Sequence, residues 1–139
     1  MEAKCIFSVI ASTLVIISFV GCFSASVKHD ESARNVENVS MKIVTPDWNI
    51  VYRNVTTKNM TVANFLFECA EHYNFSINAN YWQGYGSLFV KAINNIENGE
   101  DGNYWQYYVN GEYAQVGCSL YYLHDNDVVE WRFESPVVK

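Results

Sequence analysis

Basic residues are scarce in this 139-residue chain: nine Lys and Arg stand against fifteen Asp and Glu, for a net charge of −6. With no basic stripe to release counterions from phosphate, nucleic acid is excluded as a partner. Histidine is scarcer still. His29, His72 and His124 are the three present, and only His124, with Asp125 and Asp127, offers a second ligand at zinc spacing. Asp125-Asn126-Asp127 reads as a turn before a strand, so no metal site follows. The hydrolase elbow G-x-S-x-G, the P-loop, H-E-x-x-H and the dinucleotide glycine fingerprint are all missing. Cys69 and His72 pair a thiol with an imidazole. On a helix, however, the first falls on the apolar face and the second on the polar one, with no third group to orient them. The chain is therefore expected to be non-enzymatic and to carry no cofactor.

Cysteine is sparse too, at four. Residues 1–4 carry one Lys, residues 5–20 are almost wholly apolar and residues 21–26 are small, which reads as a signal peptide over residues 1–25. Ser8, Ser12, Thr13 and Ser18 dilute the run that a permanent span would need. The expected product is a secreted, extracellular protein with no stable membrane anchor after cleavage. Cys5 and Cys22 leave with the leader. Cys69 and Cys118 remain, and in an oxidising compartment they suggest one disulfide, two buried thiols being the alternative. Four N-x-S/T sequons, at Asn38, Asn54, Asn59 and Asn74, fit the same route as glycosylation sites. All precede Trp82, which leaves the aromatic C-terminal half free.

Residues 26–40 are polar and charged without apolar periodicity and read as a flexible tail. Residues 41–139 then form one domain with a single core. Strand candidates open it, at residues 41–44 and 49–55. A helix follows, with Thr61 as its cap and Val62, Phe65, Leu66, Cys69, Ala70 and Tyr73 on one face. Residues 75–82 and 87–93 read as strands around Gly84-Tyr85-Gly86, and residues 94–103 as a polar loop. Alternation sets Leu88, Val90 and Ala92 against Phe89, Lys91 and Ile93. An aromatic strand then runs into the Asn110-Gly111 turn, and a half-buried strand closes the chain through Val129, Trp131 and Phe133. The expected fold class is α+β: a small mixed β-sheet with one packed helix, β-grasp-like.

Tyrosine and tryptophan crowd the second half, where a small core would use more Leu and Val. Tyrosine keeps one polar end, so part of this set must reach water, a partner or a ligand.

The helix opening at residues 61–66, Phe89-Val90-Lys91-Ala92-Ile93-Asn94, Tyr104-Trp105-Gln106-Tyr107 and Asp127-Val128-Val129-Glu130-Trp131 together resemble the C-terminal β domain of the vitamin B12 carriers, the transcobalamin and intrinsic factor family. The likeness runs from Asn59 to Glu134. In those carriers this domain closes over one face of the corrin ring. The resemblance therefore implies cobalamin or a related corrinoid as ligand, with Val90, Tyr107 and Tyr113 or Ala114 at matching positions and the Trp82–Tyr85 loop beside them. The carriers also own an α-helical barrel that supplies the other half of the pocket, and this chain has no room for one. An extracellular protein-interaction module of the same fold, without cobalamin, is the alternative.

Overall fold

The computed structural model describes residues 34–137. The expected signal segment and most of the expected tail lie outside the described residues. Eight strands and one helix follow in the order β1 (Val36–Val44), β2 (Asn49–Thr57), α1 (Val62–Tyr73), β3 (Ile77–Trp82), β4 (Ser87–Ile93), β5 (Ile96–Glu97), β6 (Tyr104–Val109), β7 (Glu112–Tyr113) and β8 (Val128–Glu134). They make a five-stranded sheet in the order β2-β1-β8-β6-β7 and a three-stranded sheet in the order β3-β4-β5. This is a mostly β protein with two sheets, and the expectation of an α+β, β-grasp-like fold on one small sheet is overturned.

Two stretches of sequence account for the difference. The first is the supposed tail. β1 starts at Val36, inside residues 26–40, and lies in the interior of the larger sheet between β2 and β8, antiparallel to the first and parallel to the second. Val36, Val39, Met41 and Ile43 are its buried residues. Their spacing of three, two and two disguises the strand period, because the β1–β2 register shifts between Val36 and Val39 and again between Val39 and Met41. Asn38 and Asn54 take positive φ at these bulges, the backbone conformation that an extra residue in an antiparallel pair requires. The second stretch is the supposed loop over residues 94–103, where Asn94 and Asn95, both at positive φ, turn β4 back into β5. The hairpin of β3 and β4 thereby acquires a third strand and stands as its own sheet.

The helix forms where its pattern predicts. Thr61 Oγ1 accepts from the Asn64 N–H at 3.2 Å as the N-cap, and Asn74 closes the C-terminus in the left-handed region. Val62, Phe65, Leu66, Cys69 and Ala70 are buried. Two N–H groups that a first turn leaves without helical partners are met by the long segment after β7: Val62 donates to the Tyr121 carbonyl at 3.1 Å and Ala63 to the Cys118 carbonyl at 2.9 Å. The helix start is therefore tied to residues 118–121, and the helix flank rests on β2 through the Phe65 and Tyr52 rings, 5.8 Å apart.

β6 carries large rings on both faces because both faces are covered. Trp105, Tyr107 and Val109 join the core. On the other side the Arg132 guanidinium lies 3.9 Å from the centre of the Tyr108 ring, and Arg132 in turn pairs with Glu130 at 2.8 Å.

Candidate functional site: a cleft between two sheet edges

β4 and β6 face each other without joining. The β4 edge is met instead by side chains: Ser119 Oγ accepts from the Leu88 N–H at 3.0 Å, and Asn98 Nδ2 donates to the Val90 carbonyl at 2.8 Å. Asn98 also reaches across, its Oδ1 accepting from the Trp105 N–H of β6 at 2.7 Å. At the other end Gly117 presses against Ser87, so closely that a Cβ on Gly117 would stand 2.1 Å from Ser87 Oγ. Only glycine permits that approach. Between these two ties opens a cleft of about 530 Å³, inside the range of small-molecule pockets.

All six residues singled out in the sequence, Trp82, Tyr85, Val90, Tyr107, Tyr113 and Ala114, line this cleft. They divide by exposure. Val90 and Tyr107 are 6% and 7% exposed and form its floor, whereas Trp82 and Tyr85 are 51% and 68% exposed and form its rim. Tyr107 is thus no free anchor. Its hydroxyl donates to the Val116 carbonyl at 2.5 Å, and burial pushes its pKa up. The rim rings support one another, with Trp82 centred 4.9 Å from Tyr85 and 5.5 Å from Phe89 in edge-on contacts.

The rest of the lining comprises Ser87, Leu88, Phe89, Trp105, Gln106, Gln115, Val116, Gly117, Cys118, Trp131 and Val137. Trp105 and Trp131 had a signal in the sequence. Trp105 shares the Tyr107 face of β6, and Trp131 falls on the buried face of the last strand, opposite Tyr107 in the β6–β8 register. Residues 115–117 carry no periodicity and had none. No residue of the lining bears a charged side chain. The arrangement can hold a flat apolar body and offer it a few neutral polar groups, and it has nothing with which to neutralise an ion.

Residues 60–135 match the family described as "Domain of unknown function (DUF4430)". The chain belongs to this family. No curated protein matches it in sequence. Among solved structures, a Ruminococcus gnavus ATCC 29149 protein provisionally described as metal-binding is similar with a TM-score of 0.56 at 16% identity, over 72% of this chain and 98% of that one. Haptocorrin in complex with Cbi is similar with a TM-score of 0.57 at 15% identity, over 73% of this chain and 26% of haptocorrin. The DUF4430 chain thus shares a transcobalamin-like fold while spanning about a quarter of haptocorrin's length. Among the described residues, no group of three or more His, Cys, Asp or Glu is placed to hold a metal ion.

The expected disulfide is not formed. Cys69 and Cys118 are both buried free thiols. The physical reason is their placement along the helix. Cys118 is held at Ala63 by its carbonyl and turns its sulfur to the Leu88 carbonyl, 3.5 Å away, whereas Cys69 sits six residues on, about 9 Å of helical rise. Of the sequon residues, Asn38, Asn54 and Asn74 are exposed, while Asn59 is half-buried and donates from Nδ2 to Glu68 at 2.6 Å.

Proposed function

We propose that this chain is a secreted, glycosylated, non-enzymatic binding protein whose β4–β6 cleft takes a flat, uncharged small molecule, with cobalamin or a related corrinoid as the first class to test. The observation that carries this reading is the lining itself: aromatic and aliphatic, free of charge, and open along one side. The likeness of fold to haptocorrin supports the corrinoid class. The cleft is a half-site, so bound alone a macrocycle would keep one face in water and affinity would be modest. Titrating purified full-length protein with cobalamin, followed by the corrin absorbance, tests it. Saturable binding in the micromolar range is expected, and no binding at high micromolar concentration to folded protein would remove the corrinoid.

A second reading has its own observation. Tyr81, Trp82, Tyr85 and Phe89 are exposed rings on one hairpin, and β3 is the outermost strand of its sheet. Rings and a free edge of this kind suit an extracellular protein partner. Failure of cobalamin together with capture of one extracellular protein, lost when Trp82 and Tyr85 are both replaced, would favour it.

A further inference from the structure

Trp131 stands at the floor of the cleft. Its side chain is 2% exposed, its ring centre lies 5.2 Å from that of Tyr107, and it belongs to the cleft lining. Among the described residues, its Nε1 is the buried side-chain nitrogen or oxygen that has no hydrogen-bond partner. The neighbouring polar groups are met. Tyr107 Oη has the Val116 carbonyl, Trp105 Nε1 has the Ile96 carbonyl at 2.8 Å, and the Gln106 amide has the carbonyls of Glu134 and Ser135. A buried donor left unmade is costly, and native proteins keep few of them without a reason. Phenylalanine would fill most of the same space without that cost. An indole N–H that donates to nothing within the protein, on a residue that lines an uncharged cleft, is free to donate to what enters it.

We propose that Trp131 Nε1 is the hydrogen-bond donor that orients the ligand, and that the ligand is a neutral planar ring compound with a carbonyl-type acceptor on its buried edge. This rests on the reading of the cleft as a small-molecule site. Neutrality follows from the lining, since an ion entering it would lose its hydration and meet no opposite charge. Planarity follows from the rim, where the exposed aromatic rings of Trp82, Tyr85 and Tyr113 line the cleft. The acceptor follows from the indole, which can only donate. Reaching the buried floor takes side-chain rotamer changes, of the kind that commonly accompany binding.

The experiment uses full-length protein and two neutral planar dyes: Nile red, which carries a ring carbonyl, and pyrene, which has no acceptor. Fluorescence titration is expected to show that Trp131→Phe weakens Nile red about tenfold, the size of one lost buried hydrogen bond, and leaves pyrene unchanged. In wild-type protein the indole N–H proton resonance of Trp131, assigned by its loss in the variant, is expected to move downfield on saturation with Nile red and to stay with pyrene. The resonance measurement stands even if the variant fails to fold. Equal loss of both dyes, unchanged Nile red affinity, or an indole resonance that Nile red leaves in place would overturn the proposal while keeping the cleft as a binding site. If neither dye nor cobalamin binds, the small-molecule reading falls and this inference falls with it.

Discussion

Asn38, Asn54 and Asn74 hold φ angles of 55°, 53° and 56°, the first two at the bulges of β1 and β2 and the third at the end of α1. Asparagine tolerates the left-handed region better than other residues with a Cβ, so three of the four sequon asparagines have a backbone reason to be there. Replacing Asn74 separates the two roles. Asn74→Ala is expected to destabilise by about 1 kcal/mol and Asn74→Gly by a few tenths or less, read from denaturant midpoints. Equal losses would put the cap outside the stability of the helix. The cysteines make a second case. Burial pushes the Cys69 thiol up to about 12 and the Cys118 thiol up to about 11, so both stay protonated in the folded protein where an unfolded chain would ionise. The unfolded state therefore gains from deprotonation first, and stability should be intact below about pH 9 and fall from there towards the folded values. Iodoacetamide at pH 8 should label neither thiol in the native protein and both after denaturation. Labelling of neither after denaturation without reductant would mean that they are bridged.

The rim and floor of the cleft belong to different elements, and substitutions should tell them apart. Tyr107 sits in β6 between Trp131 and the Val116 carbonyl. Tyr107→Ala should cost about 3–5 kcal/mol, as truncation of a buried ring does. Tyr85 lies in the exposed β3–β4 turn, and Tyr85→Ala should change stability by under about 0.5 kcal/mol while weakening any cleft ligand. A folded Tyr107→Ala protein of near wild-type stability would make Tyr107 an exposed anchor rather than part of the core. How far the sequence disclosed these elements follows from their periodicity. The helix, β6 and β8 repeat cleanly and were legible, and the six residues that converge on the cleft were reached through the likeness to the B12 carriers rather than through any period. The alternation expected for β4 breaks at Lys91, which has no partner in the β3 register, Asn78 pairing with Ala92 and Ala79 with Val90. Past that bulge Ile93 turns into the core, at 0% exposed, although simple alternation set it opposite Val90. Bulges erase the period from which strands are read. The segment at residues 114–127 has no period at all, and its residues 114–118 form one wall.

The molecule as a whole depends on a strand whose first half looked like a tail. Among the described residues, β1 is the only strand that links β2 to the rest of the larger sheet, and its residues 36–40 bury Val36 and Val39 at 2% and 0% exposed. The same stretch ties the sheet to the turn before β8: the Ser40 N–H donates to the Asp127 carbonyl at 2.9 Å, the Asn126 N–H to the Glu37 carbonyl at 2.9 Å, and the Glu37 N–H to Asp125 at 2.9 Å. Asp125 is held below the usual carboxylate range first by that bond from Glu37 and then by Arg34. A chain that starts at Met41 loses all of this. Two buried valines contribute about 1.5–3 kcal/mol each, and the lost backbone bonds add about 0.5–1.5 kcal/mol apiece. The sum rivals the whole stability of a small domain, about 5–15 kcal/mol. The chain from Met41 should therefore be unfolded or melt at least 15 °C lower, while a chain from Arg34 should unfold with the midpoint of the full-length protein. Circular dichroism on the three proteins decides it. If the Met41 chain melts cooperatively within a few degrees of full length, residues 36–40 are an ornament on the sheet, and the domain begins where the apolar alternation first becomes visible in the sequence.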